Sequence, residues 1–233
     1  IPAINSNGSI PSVVSANPAA GFSIVSYTGN GSDYPIGASI GHGLSSQPKI
    51  IIVKDRTNTG TNWSVLPVAA SDSTAQSVLL NDTGALSPSG TGNSFNQQLP
   101  TDNVFYVGQS GGGSRTNGAS SNYIAYCFAE VAGFSKFGSY VGTGSAGNAQ
   151  TLGFEPAFVM AKRTDAASGW VIIDLVRGNG HELYPHSSIA ELSSAEGGTY
   201  DRLHLTTTGF EFTSSAFNES GSTWIYMAFA NQF

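Results

Sequence analysis

The strongest constraint in this chain is an apolar motif that occurs twice. The stretch "NGASSNYIAYCFAE" (117–130) lies over "NESGSTWIYMAFAN" (218–231) without a gap, at a constant offset of 101 residues. Asn117 meets Asn218, Tyr123 meets Trp224, Ile124 meets Ile225 and Phe128 meets Phe229. Upstream, "GFSIVSYTGNGS" (21–32) lies over "GFSKFGSYVGTGS" (133–145) with one extra residue, at offsets of 112 to 113. Between them, "PKIIIVKDRTNTGTNW" (48–63) lies over "PAFVMAKRTDAASGW" (156–170), which puts Lys54 on Lys162 at 108 and Trp63 on Trp170 at 107. "VFYVG" (104–108) lies over "GFEFT" (209–213) at 105. Chance similarity would not keep this order while the offset drifts one way. A tandem duplication with small insertions in the first copy would. The expected units are 21–131 and 132–233.

Each copy reads as short strands. In the repeated motif Ile124, Tyr126 and Phe128 alternate with Ala125, Cys127 and Ala129, and neither set is charged. That pattern predicts a central strand covered on both faces. "KIIIVK", "FVMAK", "WVIID" and "FEFTS" are further short apolar runs bounded by turn residues, giving six or seven strands per unit. The spacing predicts an all-β fold of two tandem homologous β-sandwich, jelly-roll-like units. "SSIAELSSAE" (187–196) is the one stretch that reads as a helical turn. Residues 1–20 lie outside the repeat as a short N-terminal extended segment. They read as a loosely docked leader or as a strand donated to a neighbouring subunit's sheet edge. The junction between the units, Val131-Ala132-Gly133, holds no flexible linker, so a fixed orientation is expected.

Charged residues are only 10% of the chain, against roughly 25% in ordinary soluble domains. Polarity comes instead from 51 Ser and Thr and 16 Asn, a composition that suits all-β surfaces outside the cell. The nine basic residues are scattered and net charge is −6, which disfavours a nucleic-acid partner. No apolar run approaches the roughly 20 residues of a helical membrane span. The single cysteine, Cys127, allows no intrachain disulfide and reads as a small buried hydrophobe. The chain starts at Ile1 rather than Met, so an upstream segment, such as a signal peptide, is expected to have been removed or to lie outside this sequence.

Catalytic signatures are formal only. "GQSGG" (108–112) matches G-x-S-x-G, but the next residues, "GSRTNGASSN", cannot form the helix that a nucleophile elbow at Ser110 requires. "GTGSAG" (142–147) matches G-x-G-x-x-G, yet it leads into no helix and reads as a hairpin turn. His42, His181, His186 and His204 show no metal-ligand spacing. No catalytic residue, metal or cofactor is expected, and the chain does not read as an enzyme. Carbohydrate binding would use aromatic faces in loops, for which Tyr34, Tyr106, Tyr184 and Tyr200 are the candidates. The loops that could carry such a site are the non-repeated stretches 67–102 and 178–202. Trp63 and Trp170 recur and so read as core. Asn-x-Ser/Thr sequons stand at Asn7, Asn30, Asn62, Asn81 and Asn218, no more than this composition gives by chance.

The stretches "GFSIVSYTGNGS", "PKIIIVK", "YIAYCFAEVAGFSKFGSYVGTGS", "GFEPAFVMAKRTDAASGW", "LYPHSS" and "WIYMAFA" together resemble a module found in predicted bacteriophage tail and virion-surface proteins. It is often placed beside lectin-like jelly-roll domains and is carried as a domain of unknown function. The resemblance covers about residues 21–231. Residues 67–102 and 1–20 depart from it. It implies a structural subunit of an extracellular appendage, such as a phage tail or fibre, whose partners are further copies of itself or other appendage proteins. The alternative is a glycan-binding adhesin that recognises cell-surface glycans. Either role implies an extracellular or virion-surface location, and the resemblance brings no established site residues.

Overall fold

A computed structural model describes residues 2–71, 74–87, 94–109 and 116–231. The chain is all-β and divides into two compact units. Unit 1 is Ile1–Leu80 with Leu86–Glu130, and unit 2 is Asn81–Ala85 with Val131–Phe233.

Unit 1 contains β1 (Ala3–Asn5), β2 (Ser12–Asn17), β3 (Phe22–Thr28), β4 (Ala38–Gly41), β5 (Ile50–Asp55), β6 (Trp63–Pro67), β7 (Val78–Leu79), β8 (Val104–Val107) and β9 (Asn122–Phe128). Seven of these form one sheet in the order β1-β2-β3-β9-β5-β6-β7, and β4 pairs with β8 in a second, smaller sheet. Every strand ladder is antiparallel. β-branched runs such as Ile50–Val53 suit a pleated, buried surface, and Gly, Asn, Ser and Pro fill the connections. One core joins the two sheets. Val25, Ile51, Val53, Tyr123 and Ala125 from the large sheet cluster with Ile40, Phe105 and Val107 from the small one.

Unit 2 contains β10 (Ser135–Val141), β11 (Asn148–Thr151), β12 (Pro156–Arg163), β13 (Trp170–Asp174), β14 (His181–Glu182), β15 (Leu192–Ser193), β16 (Leu203–Thr206), β17 (Gly209–Phe212) and β18 (Thr223–Ala230). Its main sheet runs β10-β18-β12-β13, beside the ladders β11-β17-β16 and β14-β15. The order β10-β18-β12-β13 repeats β3-β9-β5-β6. The registers agree as well. Lys54 pairs with Trp63 and Ile124, as Lys162 pairs with Trp170 and Ile225. Ala38 pairs with Val107, as Asn148 pairs with Phe212. The closing motif that occurs in both halves is thus a central strand in each unit, β9 and β18. Its core-facing residues Tyr123, Ala125, Cys127, Trp224, Tyr226 and Ala228 are all buried.

Both units close the turn after β3 or β10 in the same way. Tyr27 donates its hydroxyl to the Thr116 carbonyl at 2.7 Å, and Tyr140 donates to the Phe217 carbonyl at 2.8 Å. The next residue in each case is a fully buried asparagine. Asn117 Oδ1 accepts the Asn30 amide at 3.0 Å, its Nδ2 donates to the Ser32 carbonyl at 2.8 Å, and its own carbonyl accepts the Gly31 amide at 3.1 Å. Asn218 repeats this arrangement with the Thr143 amide (2.9 Å), the Ser145 carbonyl (2.7 Å) and the Gly144 amide (2.7 Å). Gly29 and Gly142 sit where the two backbones touch. A Cβ there would lie 2.3 Å from the Gly118 carbonyl oxygen or 2.1 Å from that of Glu219, so only glycine fits.

The structure departs from the sequence reading in four places. Within residues 2–20, read as a loose leader or a donated strand, β1 and β2 instead extend the chain's own sheet beside β3. Burial of Ile10 and Val14 in the core, and a bond from Ser12 Oγ to the Gly41 carbonyl at 3.0 Å, hold them there. No helix forms over 187–196, where Leu192 instead pairs with Glu182; the stretch is Ser-rich and has no sustained apolar stripe. Among the described residues 21–131 holds seven strands, β3 to β9, as expected, but the second unit has nine, β10 to β18, rather than six or seven. Asn81–Ala85, expected within the first unit, is part of unit 2. The fully buried Lys162 donates to the carbonyls of Gly84 (2.8 Å), Thr83 (3.3 Å) and Arg163 (2.7 Å), so its three ammonium hydrogens meet three acceptors.

Asn218→Ala is expected to lower stability by about 2–4 kcal/mol, because it strands several buried main-chain groups, and Tyr140→Phe by about 1 kcal/mol. Urea unfolding of the purified chain measures both. A loss below about 0.5 kcal/mol for Asn218→Ala would show that the turn holds without it.

Candidate functional site

The four candidate tyrosines fall into two pairs, one in each unit. In unit 1, β4 and β8 place Ser39 directly across from Tyr106. Ser9 lies alongside and exchanges bonds with Ser39: each hydroxyl accepts the other residue's amide, at 2.9 and 3.0 Å. These residues, with Ile36, Gly37 and Gln98, line an open groove of about 310 Å³. Tyr34 belongs to the turn that forms one wall, closed by the Gly37 amide on the Asp33 carbonyl at 2.8 Å. Tyr34 is half exposed and Ile36 is 83% exposed. The Tyr34–Pro35 peptide bond is cis. Beneath Gly37 lies the fully buried Asn96 amide, which makes no hydrogen bond with the described residues. A Cβ on Gly37 would collide with it, at 2.2 Å from Asn96 Cγ, so this wall requires glycine.

The groove offers a phenol ring, two paired hydroxyls, one primary amide and an exposed apolar rim, with no charged side chain in its lining. That set suits a neutral, polyhydroxylated ligand: an aromatic body to pack against and neutral donors and acceptors to fix orientation. Sequence reasoning named Tyr34 and Tyr106 but missed Ser9, Ser39, Asn96 and Gln98. For Asn96 and Gln98 the available signal was their place in the non-repeated stretch 67–102. Ser9 and Ser39 carried no such signal.

The other pair is committed to bracing. In unit 2 the Tyr184 hydroxyl donates to the fully buried Glu182 carboxylate, which faces Arg202 Nε at 3.6 Å. Arg202 also donates to the Thr199 carbonyl at 2.9 Å, and its guanidinium lies 5.0 Å from the Tyr200 ring and 5.4 Å from that of Phe217. Burial pushes the Glu182 carboxyl above its ordinary range, against the lowering effect of Tyr184 and Arg202. Burial and the neighbouring carboxylate likewise raise the Tyr184 phenol. Tyr184 and Tyr200 therefore tie the 181–204 loops to the unit rather than present free rings.

The histidines are dispersed. His42 is buried and bonded to the Thr101 carbonyl (3.1 Å), and burial lowers its pKa. His186 accepts the Trp170 amide (3.1 Å), His181 meets Glu191 (2.8 Å) and His204 meets Asp201 (2.6 Å). Among the described residues no cluster of His, Cys, Asp or Glu could hold a metal ion. Ser110 lies outside the described residues. Gly142–Gly147 is the connection between β10 and β11. Cys127 is fully buried and its thiol is pushed up to about 12 by burial, so it packs as a hydrophobe. Trp170 is buried, but its counterpart Trp63 is only partly so, stacked on Tyr126 at 6.5 Å with the Lys54 amine 5.9 Å above its ring. Of the sequons, Asn7, Asn30 and Asn81 are exposed and Asn62 is partly buried, whereas Asn218 is enclosed. Its amide nitrogen is held by the Ser145 and Ser214 carbonyls, so the folded chain cannot accept a glycan there. Among the described residues no helix is long and apolar enough to cross a membrane.

The model of the family described as "Domain of unknown function (DUF7483)" matches residues 2–232, and the chain belongs to that family. No curated protein and no solved structure matches it.

The raised pKa of Glu182 has a definite sign. The folded chain holds the proton better than the unfolded chain, so the stabilising contribution is complete below the ordinary value of 4.5 and is lost as pH rises through the folded value. Melting temperature is therefore expected to fall from pH 4 towards neutrality more steeply for the native chain than for Glu182→Gln, which cannot ionise. Parallel profiles in differential scanning calorimetry would show that the carboxyl titrates at its ordinary value.

Proposed function

We propose that this family member is a structural subunit of an extracellular appendage, of the kind phage tails and fibres represent, and that it works through β contacts between subunits. The observation that carries the reading is serial construction. Two units repeat one strand order and register, and the second opens at Ser135, only seven residues after β9 closes at Phe128. Chains extended by adding the same β unit suit rods and stalks. The turn-bracing bonds of Asn117 and Asn218 suit such a load-bearing role. In this reading the chain sits outside the cell or on the virion, binds other copies or other appendage proteins, and catalyses nothing.

A second reading, a glycan-binding adhesin, is favoured by one observation, the uncharged groove at Tyr106 beside the Tyr34 turn.

Sedimentation velocity over a wide concentration series, with negative-stain electron microscopy, tests the first reading. Elongated assemblies that grow with concentration are expected. A strict monomer throughout would overturn it. For the second, a glycan array should give hits for neutral oligosaccharides that weaken tenfold or more in Tyr106→Ala, a loss of roughly 1.4 kcal/mol or more. An array without hits would remove that reading.

A further inference from the structure

The two main sheets differ at one edge. In unit 1, β3 is flanked by β9 on one side and by β2 on the other, in register from Ser12–Tyr27 to Asn17–Phe22. In unit 2 the matching strand, β10, pairs with β18 alone, and among the described residues the sheet ends there. The segment that supplies β2 directly precedes β3 in sequence. The segment that directly precedes β10 is β9, already at the centre of unit 1.

The outward positions can be identified. The Phe134 carbonyl accepts the Ala230 amide at 2.7 Å, and the Gly142 amide donates to the Ser222 carbonyl at 2.8 Å, so these ends of β10 face β18. Alternation along an antiparallel strand then turns the main-chain groups of Ser135, Phe137, Ser139 and Val141 the other way. The same relation holds for Phe22, Ile24, Ser26 and Thr28, which face β2. The Ser135 amide is taken by the Val131 carbonyl, and the Val141 carbonyl accepts Asn148 Nδ2 at 3.1 Å. Ser139 is exposed, and Val141 is 60% exposed.

β1 is another sheet edge, a three-residue strand whose Ile4 is 82% exposed. Among the described residues the exposed large apolar side chains that lie in strands are Ile4, Val13 and Val141. All three belong to these two edges, on β1, on its neighbour β2 and on β10. An apolar residue left on an edge strand is a template for another strand.

We infer that β10 of one copy is joined by the outer edge of β1 from a second copy, so that the seven-stranded sheet of one chain continues into the four-stranded sheet of the next. The pairing buries Val141 against the Ile4–Val13 row and supplies main-chain partners at Ser139. It joins two different surfaces, so it is not a two-fold contact, and each added copy leaves a free β10 edge and a free β1 edge for the next, head to tail. Each contact is small, so assembly depends on concentration. The inference rests on the assembly reading above and specifies its contact.

Two variants and a cross-link test it. Ser139→Pro removes an outward amide that the β10–β18 ladder does not use, and Val141→Lys puts a charge on the edge. Each is expected to raise the concentration for half-assembly at least tenfold, with the monomer's circular dichroism unchanged. Chains carrying Ile4→Cys and chains carrying Val141→Cys, mixed and oxidised, are expected to give the mixed disulfide, since the fully buried Cys127 does not compete. Preferential Val141→Cys homodimers would overturn the inference in favour of a two-fold β10–β10 contact. Assembly that survives both edge variants unchanged would overturn it while leaving the assembly reading intact. A native chain that stays monomeric at every concentration would overturn both.

Discussion

A buried asparagine placed just before a closing strand is the constraint on which each unit rests. The turn after β3 or β10 runs into the interior, where unpaired amides and carbonyls would cost about 1–3 kcal/mol each. One side chain with both a donor and an acceptor answers several of them, and its own carbonyl answers another. The tyrosine one strand away fixes the preceding carbonyl, and a glycine lets the two backbones meet. The central strand can enter the sheet in register only when that corner is closed. Ring stacking between Tyr27 and Tyr123 (5.1 Å) and between Tyr140 and Trp224 (6.1 Å) then continues the same junction into the core.

Beyond that shared frame the units differ where the frame does not dictate. Unit 1 carries two extra strands on its β3 edge and the uncharged groove on its small sheet. Tyr106 in that groove matches Glu211 in unit 2 by register, so the second unit has no equivalent aromatic floor. Unit 2 instead collects Asp174, Arg177, Glu182, Glu191 and Arg202 between the end of β13 and the start of β16, where ion pairs and a buried carboxylate hold the 174–204 region together. The uncharged groove and the ion-paired loops thus fall in different units.

Much of the frame is legible in the sequence because the two halves of the chain can be laid over each other. Asn117 over Asn218 and Lys54 over Lys162 mark equivalent positions from the alignment of the two halves alone. The alternation in the repeated motif predicts a central strand, and β9 and β18 are central. Long-range choice is not legible in the same way. Whether "SIPSVVSA" docks on its own chain depends on the edge β3 leaves and on a core position for Ile10, neither of which is local. Asn81–Ala85 joins unit 2 because three carbonyls gather around Lys162, two of them from a loop distant in sequence. The groove is half legible: tyrosines in loops are visible, but the serines that complete it carry no signal in a chain so rich in serine. Asn218 shows the converse, since a sequon in sequence is a sealed structural amide in space.

The chemistry of that sealing has a consequence for where such a protein can serve. The corners of both units are closed by amides, hydroxyls and main-chain groups, none of which titrates between acid and mild base or is weakened by dissolved salt. Framework and solvent are therefore uncoupled: concentrated salt, mild acid or dilute buffer meets the same braced turns. The ion pairs of Arg177 with Asp174 and Glu191 in unit 2, by contrast, are open to screening by dissolved salt.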